Sequence, residues 1–275
     1  MDVTQIETQQ AVSPLKGEPS GKKRRLFLGK RAKRALEDDI DLRGESLLSE
    51  ESSFAVVEAY RSARTNLLFT KVGEGCQKIV FTSTQPSEGK SINCANLAAT
   101  VAQNGKRVLL IDADLRCPVI HQIFNLPNQS GLSETLAGMN EGEKTPFSST
   151  AFPNLYVMTA GRIPPNPAEL LSSKRMPELL ESLSERFDYI MIDTPPLSVV
   201  TDAAVLSGIV HGFILVVRAG HVPAEGVRTT VAKLERVGAN ILGFLLNDVG
   251  TSAGGYQYGR YKGYGRYGSK HAKGE

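Results

Sequence analysis

From residue 78 onward the chain alternates short apolar runs with longer amphipathic stretches. Runs at 78–84 (K-I-V-F-T-S-T), 107–112 (R-V-L-L-I-D), 154–160 (N-L-Y-V-M-T-A), 189–194 (Y-I-M-I-D-T), 213–218 (F-I-L-V-V-R) and 241–247 (I-L-G-F-L-L-N) read as strands. Helical stretches near 90–104, 131–138, 167–187, 202–209 and 223–237 separate them. Strands apolar on both faces and joined by helices predict an α/β fold, a parallel sheet covered on both sides. Ligands of such sheets sit at the carboxyl ends of the strands. Ahead of the first strand, Phe54, Val57, Tyr60, Ala63 and Leu67 recur near helical spacing within 52–70, with Ser52 or Ser53 as N-cap. A helix is expected there, entering the folded domain.

The pattern fails at both ends. Residues 1–50 have a polar start, a basic run from Lys22 to Arg34 and an acidic patch at Glu37, Asp38, Asp39 and Asp41. They hold too little apolar surface to offset the entropy of ordering, so a flexible basic extension is expected. Residues 250–275 consist mainly of Gly, Tyr and basic residues and predict a disordered tail. The folded domain is therefore expected over 51–249. Charge follows the same division: the net +3 splits into +6 over 1–34, +4 over 250–275 and −7 over the body between them. The basic run reads either as a solvated linker or as a device that holds the protein near anionic lipid or a membrane partner, with nucleic acid a weaker option. No apolar stretch approaches the ~20 residues of a membrane span, and the first 30 residues lack the apolar core of a secretory signal, so neither export nor self-anchoring is expected. Three cysteines without paired spacing and four scattered histidines tell against a disulfide framework and a structural zinc site.

Candidate chemistry begins where the first strand ends. Thr84 opens T-Q-P-S-E-G-K-S, followed by an Asn/Ala-rich helix, which is the strand–loop–helix setting of a phosphate-binding loop. Such a loop turns backbone N–H groups toward phosphate oxygens, and the helix adds the positive end of its dipole. Ser87, Glu88, Gly89, Lys90, Ser91 and Ile92 form the candidate nucleotide-binding stretch: Gly89 permits close approach, Lys90 carries charge to the phosphates and Ser91 offers a hydroxyl to Mg²⁺. Thr84 stands where the general pattern has its first Gly. Two acidic strand ends join the loop. L-L-I-D-A-D-L-R delivers Asp112 and Asp114, and Y-I-M-I-D-T-P-P delivers Asp193. Mg²⁺ takes hard oxygen ligands, and Ser91 with Asp193 fits that need. Asp112 and Asp114 are left for the phosphoryl acceptor or the metal's surroundings, Asp112 being counted among the candidate metal ligands as well. Arg116 is read either as a phosphate contact or, preferably, as a partner for a nearby carboxylate.

Taken together, the loop, the D-x-D-x-R strand, the D-x-x-P strand, an E-x-x-R-x-x-R helix (Glu58, Arg61, Arg64) and the terminal tyrosines resemble a bacterial tyrosine kinase. More narrowly, they resemble the cytoplasmic autokinase of capsular and exopolysaccharide synthesis, over about residues 52–269. The resemblance implies a P-loop NTPase-like sheet that uses ATP and Mg²⁺ to phosphorylate its own tail at Tyr256, Tyr258, Tyr261, Tyr264 and Tyr267. It further implies a separate transmembrane chain-length regulator that recruits the kinase to the inner face of the plasma membrane, a cognate phosphatase, and a homo-oligomeric ring built through Glu58, Arg61 and Arg64. Lys90, Asp112 and Asp114 become the catalytic candidates, with either aspartate accepting the tyrosine proton. Asn247, ending the last strand, is a candidate reader of adenine in the wider superfamily, or else an ordinary strand-end turn. The nearest competitor is the branch of ATPases that positions division sites and partitions plasmids. Those carry a second lysine early in the loop, where this chain has Gln85. An RNA-binding reading of the Gly/Tyr/Arg tail is the non-enzymatic alternative.

Overall fold

The computed structural model describes residues 47–70, 74–139 and 147–249. Seven strands form one sheet: β1 (Gln77–Ser83), β2 (Val108–Asp112), β3 (Ser148–Ser149), β4 (Leu155–Met158), β5 (Tyr189–Asp193), β6 (Gly212–Arg218) and β7 (Ile241–Asn247). Their order is β3-β4-β2-β5-β1-β6-β7. Every pairing is parallel except β3 with β4. The chain leaves β1 toward one side, to β2, and later returns to its other side with β6. The carboxyl end of β1 therefore lies where the strand order reverses, which is where open α/β sheets bind ligands.

Helices α1 (Phe54–Phe69), α2 (Lys90–Gln103), α3 (Ile120–Ile123), α4 (Leu132–Ala137), α5 (Pro167–Leu171), α6 (Arg175–Ser184) and α7 (Ala224–Arg236) cover the sheet. Strand alternation divides them between two cores. Ile79, Phe81, Leu110, Met191 and Val216 face α1, α2 and α3, whereas Val80, Ile111, Ile192 and Phe213 face α4 to α7. Both faces of the central strands are thus buried, as their continuous apolar runs require. Ser53 caps α1 by accepting the Val56 N–H, so of the two candidate caps the second is used.

Some elements differ from expectation. The stretch 167–187 is two helices rather than one, because Pro177 cannot donate to the Ser173 carbonyl and its ring would collide with it. In the first turn of α6 the same proline is harmless. The expected helix at 202–209 shrinks to one 3₁₀ turn, Ala204–Leu206, and the strand at 154–160 ends at Met158. Helix α3 and the two-residue antiparallel strand β3 are additions, each too short to leave a periodic signature.

Candidate active site

Strand β1 runs buried to Ser83 and the chain then turns through Thr84–Gly89 into α2. Two residues of this loop have left-handed backbones, Ser87 (φ 63°) and Gly89 (φ 79°). Only glycine suits the second position, since a Cβ there would fall on the Asn247 amide nitrogen and lie 3.1 Å from Asn93 Nδ2. No side chain caps α2 among the described residues. The N–H groups of its first turn are left to an anion.

Lys90, the first residue of α2, is buried and sits among carboxylates. Its Nζ lies 2.8 Å from Asp193 Oδ1 and 3.8 Å from Asp114 Oδ2 and donates to Ser91 Oγ at 2.9 Å. Ser91 Oγ donates in turn to Asp193 Oδ2 at 2.7 Å. Asp193 and Asp112 are register partners at the ends of adjacent strands β5 and β2, which brings the two acidic motifs together. Asp112 accepts the N–H of Asp114 at 3.2 Å and of Ile120 at 3.1 Å, while Asp114 accepts the N–H of Cys117 at 3.0 Å.

Electrostatics follow from the geometry. Burial, then the Asp193 and Asp114 charges, push the Asp112 carboxyl well above its ordinary range. Asp193 is also raised by burial, against the pull of Lys90 and Ser91. Burial works against the Lys90 ammonium, but the surrounding aspartates outweigh it and hold the lysine above its usual value. Three buried carboxylates around one cation leave an excess of negative charge that a hard cation would neutralise. Thr84 Oγ1, buried at the start of the loop, has no hydrogen-bond partner among the described residues. This donor set fits a nucleotide phosphate with Mg²⁺. Among the described residues no three His, Cys, Asp or Glu side chains form a ready-made metal cage. Mg²⁺ seldom needs one, taking one or two carboxylates and completing its shell with water and phosphate.

The remaining candidates divide. Asn247 reaches the loop and donates from Nδ2 to the Glu88 carbonyl at 3.0 Å. Glu88 is almost fully buried, its carboxylate accepting the N–H of Gln85 at 2.7 Å and of Arg218 at 3.2 Å. Ile92 packs its side chain against the core on the α2 face, leaving only its backbone for a ligand. Arg116 makes the carboxylate pair preferred for it: Nε and Nη2 donate to Asp202 at 2.7 and 3.1 Å. On α1, Glu58 and Arg61 pair at 2.6 Å, while the buried Nε of Arg64 has no partner among the described residues. Tyr256, Tyr258, Tyr261, Tyr264 and Tyr267, and the basic run Lys22 to Arg34, lie outside the described residues. Sequence reading did not single out Arg218, His221, Asp248 or Asp202, all of which engage this site or its loops. Arg218 and Asp248 do stand at the ends of apolar strand runs, but their partners and those of His221 and Asp202 are distant in sequence, and no local pattern marks the contacts.

An AAA domain family model matches residues 76–244, a span that begins at β1 and ends within β7. The tyrosine-protein kinase YwqD of Bacillus subtilis (strain 168) is 40% identical over 213 residues, covering 78% of this chain and 86% of that one. The chain belongs to the bacterial tyrosine-kinase family. Another relative of this kinase, the tyrosine-protein kinase Wzc of Salmonella typhimurium, is 39% identical over 207 residues, but the match spans only 29% of that longer protein. Among solved structures, the chimerical protein CapA2B2 superposes with a TM-score of 0.66 at 37% identity, covering 72% of this chain and 86% of that one. Both of these relatives, YwqD and Wzc, are named tyrosine-protein kinases. Among its described residues no helix is long and apolar enough to cross a membrane.

Proposed function

We propose that this chain is an ATP- and Mg²⁺-dependent autokinase that phosphorylates Tyr256, Tyr258, Tyr261, Tyr264 and Tyr267 of a second copy and thereby regulates assembly or export of a capsular or extracellular polysaccharide. The observation that carries the reading is the cluster of buried Lys90, Asp114 and Asp193 with partly buried Ser91, beneath a loop whose helix N-terminus is uncapped. In this reading Asn247 meets the adenine and the backbone of Ser87–Ile92 cradles the phosphates. Lys90 turns its ammonium from Asp193 to the phosphate oxygens. Ser91 and Asp193, with Asp112 beside them, hold Mg²⁺, which supplies charge neutralisation to the phosphates. Phosphoryl transfer needs positioning more than a strong base. The phenol oxygen of the acceptor forms the new bond to the terminal phosphorus as the bond to ADP breaks. The phenolic proton passes to Asp112, whose raised carboxyl suits it to that role, or to Asp114. Single Asn variants separate the two.

Around this core we place a 1–50 extension, a kinase domain over 51–249 and a tyrosine tail over 250–275. The protein works in the cytoplasm at the inner membrane face. It is recruited by a separate transmembrane chain-length regulator, assembles as a ring through Glu58, Arg61 and Arg64, and is reset by a cognate phosphatase. The deciding experiment is mass spectrometry of the purified full chain after incubation with Mg-ATP. Phosphotyrosine in the tail is expected, and it should vanish in Lys90→Ala and Asp193→Asn while circular dichroism stays unchanged. Undiminished phosphotyrosine in either folded variant would overturn the assignment. ATP hydrolysis without phosphotyrosine would favour a partition-type ATPase.

A further inference from the structure

The phosphate loop is held from behind by the ends of two strands. His221 Nε2 lies 3.2 Å from the Pro86 carbonyl, Arg218 Nη1 donates to the Ser87 carbonyl at 3.4 Å and Asn247 Nδ2 donates to the Glu88 carbonyl at 3.0 Å. Three consecutive loop carbonyls are thus taken by residues at or just beyond β6 and β7. In a trans peptide the N–H points opposite to the carbonyl. Fixing the carbonyls of 86, 87 and 88 outward therefore aims the N–H groups of 87, 88 and 89 the other way, into the concavity that receives an anion. The left-handed backbone at Ser87 is unfavourable for a side-chain-bearing residue and needs such an external hold.

Arg218 does most of the holding. Its backbone N–H reaches Glu88 Oε1 at 3.2 Å, its Nη1 reaches Ser87, and its Nε and Nη2 meet one oxygen of Asp248, Oδ2, at 3.0 and 2.9 Å. Asp248 stands directly after β7, in a left-handed conformation (φ 53°), where the chain leaves the sheet toward the tyrosine-rich segment. A guanidinium gripped by Asp248 along one edge presents its other edge to the loop, a planar geometry that lysine cannot reproduce.

We propose that Arg218 is the positioning residue that sets the conformation of the phosphate loop, and that Asp248 tunes nucleotide affinity through it from the root of the tyrosine segment. This rests on the nucleotide reading given above. Because Arg218 shapes the loop rather than touching reacting atoms, its loss should weaken ground state and transition state alike, raising KM with little change in kcat.

The test measures binding of a fluorescent ADP analogue and Mg-ATP kinetics in the full chain. Arg218→Gln is expected to weaken ADP binding about tenfold while kcat at saturating ATP stays within about threefold. Arg218→Lys should fall between the two. Asp248→Asn should weaken binding about threefold, an effect that fades at high salt because the pair is half exposed. The double variant should bind no more weakly than Arg218→Gln alone, since Asp248 acts through the arginine. ADP affinity unchanged in a folded Arg218→Gln, or two losses that multiply in the double variant, would overturn the proposal. If Arg218→Gln does not fold, unchanged affinity in both Arg218→Lys and Asp248→Asn does the same. A parent chain that binds no ADP analogue would instead bring down the nucleotide reading on which this one stands.

Discussion

Asp112 has no exposed surface and shares its strand end with Asp193. Its carboxyl is pushed well above the ordinary 3.8 by burial first and by Asp193 and Asp114 next. A carboxyl with its folded value above its unfolded one binds more protons in the folded chain. Its ionisation therefore costs stability, and the cost grows as pH rises through the interval that opens near about 3.9. Asp112→Asn removes that ionisation and keeps one oxygen as acceptor for a backbone N–H. The melting temperature of the variant relative to the parent, measured without nucleotide, should shift in the variant's favour between about pH 5 and about pH 8. A difference that stays flat, or moves toward the parent, would mean that Lys90 and the N–H groups of Asp114 and Ile120 fully offset the burial. The same variant is expected to be the poorer kinase, because Asp112 is one of the two carboxylates proposed to take the acceptor proton.

At the scale of elements, α1 is joined to the phosphate loop by one phenol. Tyr60 Oη donates to Asn93 Oδ1 at 2.8 Å and accepts from Asn96 Nδ2 at 3.4 Å, while Asn93 Nδ2 donates to the Gly89 carbonyl at 2.8 Å. Tyr60→Phe keeps the ring packing but leaves the Asn93 oxygen unpaired. It should cost about 1–2 kcal/mol in urea unfolding and loosen ADP binding as well. Unaltered stability and ADP affinity would show that the phenol does not join the two helices. Tyr60 entered the sequence reading only as an apolar position of a helix, because its partners lie more than thirty residues away. That contrast holds across the molecule. The central strands and α2 were legible because burial on both faces writes continuous apolar runs into the sequence. Lys90, Ser91, Asp112, Asp114 and Asp193 were legible because they stand at fixed offsets from those runs. The hold on the loop was not, since Arg218 and His221 satisfy carbonyls 131 and 135 residues distant and nothing local records it. The break before Pro177 was readable from proline chemistry alone, yet the apolar pattern of 167–187 ran through it.

At the scale of the whole molecule, the proposed activity needs a second copy to supply the acceptor. The Glu58–Arg61 pair within one chain is exposed and by itself worth only about 0.2–0.5 kcal/mol. Between copies the same charges would be partly desolvated and repeated at every junction. Simultaneous Glu58→Ala, Arg61→Ala and Arg64→Ala should therefore lower the mass seen by light scattering and reduce tail phosphorylation. Equal mass at a concentration where the parent assembles would refute that. The tail prediction follows from the same assembly. Residues 250–275 carry +4, and the body between the two basic ends carries −7, so in the proposed assembly their opposite charges would attract. Each phosphate adds about −1.5 to −2 charges, so three of them reverse the sign of the tail and turn attraction into repulsion. The measurement pairs an inactive Lys90→Ala chain with an active chain whose five tail tyrosines are Phe. Transfer of phosphate to the inactive chain is expected, and extensive phosphorylation of the parent should lower its particle mass. No transfer to the inactive partner would reject action in trans, and an unchanged mass would reject electrostatic release.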